Sequence, residues 1–244
     1  MDMTGNTILI TGGATGIGLA LADALLQNDN QVIICGRRRE KLQAAKKELP
    51  DLHVKVCDVT KPRSRSALVE WATKRFKSLN VLVNNAGIQR PVDFTRGPKD
   101  MAWAEAEVAV NLAAPIQLSA SLIPHLKRRK QAAIVNISSG LGFTPLAAVP
   151  VYCATKAAIH SLSLTMRYQL RDTPIKVFEI VPPIVPTELA GRRRRSEDPE
   201  RTMSAEEVAR GTLAALAADR YEAPLGVAAH LLQQRDALFS ALNP

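Results

Sequence analysis

The stretch Thr7-Ile8-Leu9-Ile10-Thr11-Gly12-Gly13-Ala14-Thr15-Gly16-Ile17-Gly18 decides the fold. A short β-branched run stops at two glycines, after which Ile17, Leu21, Ala24 and Leu25 recur at helical spacing. The reading is strand, tight turn, helix. Glycines at such a junction let the backbone pass close to a pyrophosphate, where the free N–H groups and dipole of the helix N-terminus favour an anion. A purely structural turn also asks for glycine, so the cluster alone leaves phosphate binding open.

The same alternation continues outward. Gln31–Cys35 and His53–Cys57 read as strands, followed by helices over about 38–49 and 63–76. Val81–Val83 and Ala133–Ile137 are two more buried strands, bracketing a long helix over about 102–126, and Val177–Val181 is a sixth after a helix over about 152–170. Continuous apolar strands suit a parallel sheet covered on both faces. The fold class is therefore α/β, a Rossmann-type doubly wound parallel sheet. No linker or repeat divides the 244 residues, so residues 1–244 are expected to form one domain. The Pro- and Arg-rich region at about 187–203 reads as a flap over the carboxyl edge of the sheet, where ligands bind in such folds. Val227, Leu231, Leu232, Leu238, Phe239 and Leu242 place one apolar stripe on an amphipathic C-terminal helix at about 227–242.

Composition narrows the function classes. With 46% hydrophobic and 23% charged residues, disorder and small disulfide scaffolds are excluded. Gln131–Thr155, the longest charge-free segment, is broken by polar residues, glycines and prolines, so no membrane span is expected. The opening residues lack the basic start and apolar run of a signal peptide, which points to a cytoplasmic protein. Cys35, Cys57 and Cys153 form no C-x-x-C pair and fit reduced thiols, and the four histidines show no ligand spacing, so no metal is predicted. The net charge of +9 would suit a nucleic-acid binder, but Arg37–Arg39 and Arg192–Arg195 supply much of the excess. Aromatics at 4% offer few stacking platforms. Nucleic acid is not the expected partner.

In dinucleotide folds a carboxylate at the end of the second strand bonds the ribose 2′-hydroxyl, whereas arginine there accepts a 2′-phosphate. Here that strand ends Cys35-Gly36-Arg37-Arg38, with no acid at the turn. Cations in a helix's first turn oppose its dipole, so an anionic ligand is the natural compensation. NADP(H), bound by Arg37 and Arg38, is chosen over NAD.

Tyr152-Cys153-Ala154-Thr155-Lys156 puts a phenol and an ammonium on one helix face. A fixed cation within about 4–6 Å lowers a tyrosine's pKa by roughly 1–3 units toward working pH. Ser139, just past the fifth strand, could hold a substrate oxygen. Ser138 is its rival, and neighbours on a strand face opposite ways. Cys153 reads as a small structural residue, having no histidine partner of a thiol nucleophile.

Thr11-Gly12-x-x-x-Gly16-x-Gly18, Asn84-Asn85-Ala86-Gly87, Asn111, Ser139 and Tyr152-x-x-x-Lys156, taken in order, resemble the classical short-chain dehydrogenase/reductase family over about residues 7–187. The spacing of that family selects Ser139 over Ser138. The resemblance implies that Tyr152 exchanges a proton with the substrate oxygen, Ser139 orients that oxygen, and Lys156 binds the nicotinamide ribose. Asn111 would kink its helix and hold a water of the proton relay. Gly12, Thr15, Gly16, Ile17 and Gly18 would form the pyrophosphate turn, Asp58 and Val59 would meet the adenine, and Asn85, Ala86 and Gly87 would line the cofactor. Pro182, Val185 and Thr187 would border the nicotinamide. Pro182-Pro183 stands where the family has Pro-Gly, and the short Tyr221–Gly226 segment with its tail is similar to the DltE-like branch.

The expected activity is that of an NADP(H)-dependent reductase of a ketone or aldehyde, or a dehydrogenase of the corresponding alcohol in reverse, working as a homodimer or homotetramer. Gly140, Leu141, Phe143, Pro183, Ile184 and the flap would shape an apolar substrate pocket. Two other readings stand beside it: an NADP-binding sensor without turnover, and a nucleic-acid binder using Arg192–Arg195.

Overall fold

A computed structural model describes residues 1–189 and 202–243. Seven parallel strands form one sheet: β1 (Thr7–Thr11), β2 (Gln31–Gly36), β3 (His53–Val56), β4 (Leu79–Asn84), β5 (Ala132–Ile137), β6 (Ile175–Val181) and β7 (Glu222–Pro224). Their spatial order is β3-β2-β1-β4-β5-β6-β7. The chain starts in the middle, builds outward to β3, then crosses back to build from β4. The strand order reverses between β1 and β4, and a crevice at such a reversal is where this class of sheet binds ligands.

Alternate residues of each strand feed two cores. Ile8, Ile10, Val32, Ile34, Val81 and Val83 pack beneath α1 (Gly16–Leu26), α2 (Arg39–Glu48) and α7 (Ala205–Ala217). Leu9, Ile33, Leu82, Ile134 and Val177 pack on the other face, beneath α3 (Pro62–Arg75), α5 (Ala114–Leu126) and α6 (Pro150–Gln169). Both faces are covered, which is why these strands read as unbroken apolar runs.

The long helix expected over 102–126 is interrupted. It consists of α4 (Met101–Val108), a π-helical turn over Ala109–Ala113, and α5. Pro115 has no N–H to offer the Asn111 carbonyl four residues back, and the Ala114 N–H reaches the Ala109 carbonyl instead. The helical stretch Trp103–Leu126 contains an 18-residue window of mean hydropathy 1.3 and is long and apolar enough to cross a membrane by length and composition only, a test that the core helix of a globular fold also passes. In this fold Val110, Ala114, Leu118, Leu122 and Leu126 bury its apolar side in the second core.

Helix α7 does not stand out in the sequence pattern, although its start carries a capping box: the Ser204 hydroxyl accepts from the Glu207 N–H, and the Glu207 carboxylate accepts from the Ser204 N–H. The tail also differs from expectation. The expected helix at about 227–242 is broken into α8 (Ala228–Gln234), a 3₁₀ turn over Arg235–Leu238 and α9 (Phe239–Leu242). Arg235 adopts φ 47°, and the Thr144 hydroxyl contacts the Leu231 and Arg235 carbonyls at the break. Of the expected flap at 187–203, residues 190–201, including Arg192–Arg195, lie outside the described residues.

Candidate active site

The site is assembled at the carboxyl ends of the strands, starting where β1 meets β4. Gly12 and Gly16 take φ values of +64° and +57°, a region glycine enters without strain. A Cβ on Gly12 would lie 2.9 Å from the Ala86 Cα, and one on Gly18 would lie 2.5 Å from the Asn85 amide nitrogen. The glycine turn is thus pressed against Asn85-Ala86-Gly87. The Thr11 hydroxyl accepts from the N–H groups of Asn85 and Ala86, both at 3.0 Å, and the Asn85 side chain donates to the Thr11 and Gly12 carbonyls. Helix α1 begins beside this turn with no side-chain cap and no acid in its first turn. Its free N–H groups suit an anion.

One cleft of about 280 Å³ is lined by Gly12, Thr15, Gly16, Ile17, Gly18, Arg37, Arg38, Asp58, Val59, Asn85, Ala86 and Gly87. Ser139, Tyr152, Lys156, Pro182, Val185 and Thr187 line it as well. Asn111 alone among the predicted site residues lies behind it. Its amide oxygen accepts from the Ile88 N–H at 2.9 Å and its amide nitrogen donates to the Ile88 carbonyl at 2.8 Å. The Asn111 side chain therefore clamps the loop after β4.

Ser139 and Ser138 part company as the strand geometry requires. The Ser138 hydroxyl donates to the Ile180 carbonyl, and the Ser139 hydroxyl turns back to accept from the Leu141 N–H at 3.2 Å. The turn holding Ser139 lies directly on α6: a Cβ on Gly142 would meet the Lys156 carbonyl carbon at 2.9 Å and the Ala157 nitrogen at 3.0 Å. Tyr152 and Lys156 occupy successive turns of α6, the ammonium 5.6 Å from the centre of the phenol ring. The Lys156 side chain is buried and donates to the Ile137 carbonyl at 2.8 Å. Burial pushes its pKa down to about 8, against the Glu179 charge, which raises it. At neutral pH it is mainly an ammonium.

At the far end of the cleft the charges are opposite to those of a 2′-hydroxyl site. Arg38 pairs with Glu188 at 3.0 Å and reaches the Thr15 hydroxyl at 3.4 Å, and Lys41 pairs with the other Glu188 oxygen at 3.1 Å. Bonds from Lys41 and Arg38 hold the Glu188 carboxyl below its usual range. Burial would raise the Asp58 carboxyl, but Thr60 and the Arg37 charge bring it below normal. Sequence reasoning missed Lys41 and Glu188. Lys41 sits one turn after Arg38 on α2, a spacing that could have signalled it, whereas Glu188 is brought in by the chain after β6.

Two expectations about the substrate pocket change. Gly140 and Phe143 do not border open space, because Ala228 and Leu231 of α8 lie against Gly140 and Phe143 packs with Val181 and Ala228. Leu141 faces a separate and larger groove of about 980 Å³, shared with Phe94, Trp103, Pro145 and Phe239. That groove contains none of Ser139, Tyr152 and Lys156, so the smaller cleft is the candidate site. Cys153 is structural: its thiol is buried, which raises its pKa, and it contacts the Leu146 N–H and carbonyl.

The family profile described as short chain dehydrogenase matches residues 6–198. The chain is 54% identical over 194 residues to DltE of Bacillus subtilis strain 168, a protein named an uncharacterized oxidoreductase, covering 80% of this chain and 77% of that one. It is 33% identical over 196 residues to the NADP-dependent 3-hydroxy acid dehydrogenase YdfG of Salmonella typhi, covering 78% and 77%. Among solved structures, a short chain dehydrogenase from Burkholderia cenocepacia in complex with NADP superposes with TM-score 0.85 at 26% identity, over 99% of both chains. The profile match over most of the chain and the identity to DltE make the protein an oxidoreductase of the short chain dehydrogenase family.

Proposed function

We propose that the protein is an NADP(H)-dependent reductase of a ketone or aldehyde, or, in reverse, an NADP-dependent dehydrogenase of the corresponding alcohol. The observation that supports this reading is a single cleft with Tyr152, Ser139 and buried Lys156 at one end and Arg37, Arg38 and Lys41 at the other.

The residues present fit the cofactor. The uncapped start of α1 and the Gly12 and Gly16 turn suit its pyrophosphate, and the guanidinium groups suit a 2′-phosphate of charge about −1.5 to −2. Lys156 would hold the nicotinamide ribose, with Val185 and Thr187 at the ring edge. When bound, the nicotinamide supplies or accepts the hydride.

The chain's own task is to hold the substrate oxygen and move a proton. The Ser139 hydroxyl accepts from the Leu141 N–H and keeps its own O–H to donate to that oxygen. The Tyr152 phenol supplies the proton in reduction and accepts it in oxidation, with the Lys156 charge favouring the phenolate. Asn111 acts one step back, fixing Ile88 and the loop that borders the cleft. Orientation and charge stabilisation supply most of the rate.

The test is consumption of NADPH, followed by its absorbance, across ketones, aldehydes and, in reverse, alcohols including 3-hydroxy acids, the class named for the Salmonella relative. Turnover lost in Tyr152→Phe supports the reading. NADPH binding without turnover on any of these would favour a sensor instead. The same proposal includes a homodimer or homotetramer, supported by the exposed large hydrophobic side chains Trp103, Val108, Ile116, Leu164 and Tyr168 on α4, α5 and α6, and a cytoplasmic location as the sequence reading has it. Light scattering checks it.

A further inference from the structure

A row of polar side chains crosses the sheet beneath α5 and α6. Asn84 on β4 is in register with Asn136 on β5, Asn136 with Glu179 on β6, and Glu179 with Glu222 on β7. Asn84 donates to Asn136 and to the Ser119 hydroxyl, its own amide oxygen having no partner among the described residues, and Asn136 donates to the Ser163 hydroxyl of α6. Glu179 is the fully buried carboxylate of the row. One of its oxygens lies 2.8 Å from His160 Nδ1, and the other has no hydrogen-bond partner among the described residues. A buried carboxylate in that state needs a nearby positive charge.

Lys156 stands one turn before His160 on α6, with its ammonium on the carbonyl of Ile137, the residue after Asn136 in the row. We propose that Glu179 is a positioning residue of this site: its buried carboxylate, clamped by His160, is the counter-charge that keeps Lys156 cationic and its ammonium in the cleft. The inference rests on Lys156 serving as the cofactor-binding cation of the reductase reading.

The surroundings leave Glu179 in that role. On α6 itself the titratable neighbours are Tyr152 and His160. From β7, Glu222 approaches His160 only to 3.9 Å and is partly exposed. Arg167, two turns further along α6, is occupied with the Val177 and Tyr221 carbonyls. Glu107 of α4 accepts from the Arg90 N–H and acts on Cys153 instead. Strand β5 and the Ser139 turn bring no charge to the ammonium. Among the described residues, the Glu179 charge is accordingly the one that opposes the burial effect on Lys156. The 2.8 Å contact between His160 and Glu179 has the length of a hydrogen bond. His160 also packs edge-on against Phe143, 4.7 Å between ring centres, which ties the pair to the turn after Ser139.

The test is a double-mutant cycle read by melting temperature, with Glu179→Gln, Lys156→Met and both together, alongside NADPH binding against pH followed by fluorescence. Lys156→Met strands the carboxylate, so adding Glu179→Gln to it should raise the melting temperature, whereas Glu179→Gln alone should lower it. In Glu179→Gln the pH at which NADPH affinity is half lost should fall by about one unit, giving roughly fivefold weaker binding than wild type at pH 8 and near-equal binding at pH 6. An equal change in melting temperature in both backgrounds, or superimposable pH profiles, overturns the inference. Should Glu179→Gln alone fail to fold, the comparison of Lys156→Met with the double variant decides it. Wild-type protein that binds no NADPH would instead sink the reductase reading, and the melting cycle would still judge the pair.

Discussion

Replacing Arg37 by alanine should separate the two nicotinamide cofactors. A guanidinium bonded to a 2′-phosphate contributes about 1.5–3 kcal/mol as a charge-assisted hydrogen bond. Its loss should weaken NADPH roughly 10–150-fold. NADH, with a neutral 2′-hydroxyl, should change by no more than about twofold. Arg38 gives a graded comparison because it is already engaged with Glu188. That exposed pair is worth only about 0.2–1 kcal/mol, but it must be given up before Arg38 can turn to a phosphate. Arg38→Ala should therefore cost NADPH somewhat less than Arg37→Ala. Glu188→Gln, which frees both Arg38 and Lys41, should tighten NADPH by about 1.5–5-fold. Calorimetry with both cofactors at two salt concentrations reads all three, and the NADPH effects should shrink at high salt. Equal losses for NADPH and NADH, or tighter NADH in Glu188→Gln with NADPH unmoved, would refute the assignment.

Tyr152→Phe should keep NADPH affinity within about twofold and lower turnover by a factor on the order of 10²–10⁴, measured as NADPH oxidation with the best carbonyl of the panel. The pH dependence follows from Lys156, held at about 8 against an ordinary 10.5. Cofactor affinity should fall as pH rises through about 8. The unfolded chain binds this proton more tightly than the folded one, so the same group makes the apoprotein more stable as pH rises from about 8 toward 10.5, by about 3 kcal/mol in all. Denaturant titrations of wild type and Lys156→Met, compared across pH, isolate that slope by its absence in the variant. Asn111→Leu should leave the half-buried Ile88 N–H and carbonyl without partners, at about 1–3 kcal/mol for each group. That predicts a melting temperature lower by roughly 4–24 °C in calorimetry.

The legible parts of the fold are those written in local pattern. Six strands and the helices between them follow from apolar runs and glycine turns, and the Tyr152–Lys156 spacing by itself places both side chains on one helix face. The choice between Ser138 and Ser139 rests on spacing plus strand alternation; their hydroxyls have different partners, and both residues line the cleft. What could not be read depends on partners distant in the chain. Glu188 meets Arg38 across 150 residues, and nothing near Glu188 in sequence hints at the pair. The polar row from Asn84 to Glu222 is invisible until strand pairing sets the four residues side by side. The resemblance implied a kink at Asn111, but its form, a π-helical turn over Ala109–Ala113 beside Pro115, is not legible in the ordinary helical composition of that stretch. The tail reads as one helix because its apolar spacing is regular, while the break at Arg235 is fixed by Thr144 from another part of the chain.

The backbone contact at Gly142 divides the cleft into parts of unequal tolerance. Because the Ser139 turn rests on the peptide of Lys156 and Ala157 with no side chain between them, the proton-handling groups are registered by main chain. Mutagenesis aimed at new substrates therefore belongs on the opposite bank, at Ile88, Arg90, Pro183 and Leu189. Libraries varied there would retool selectivity while the chemistry stays in place, and diversity spent on residues 139–142 would return mostly inactive clones.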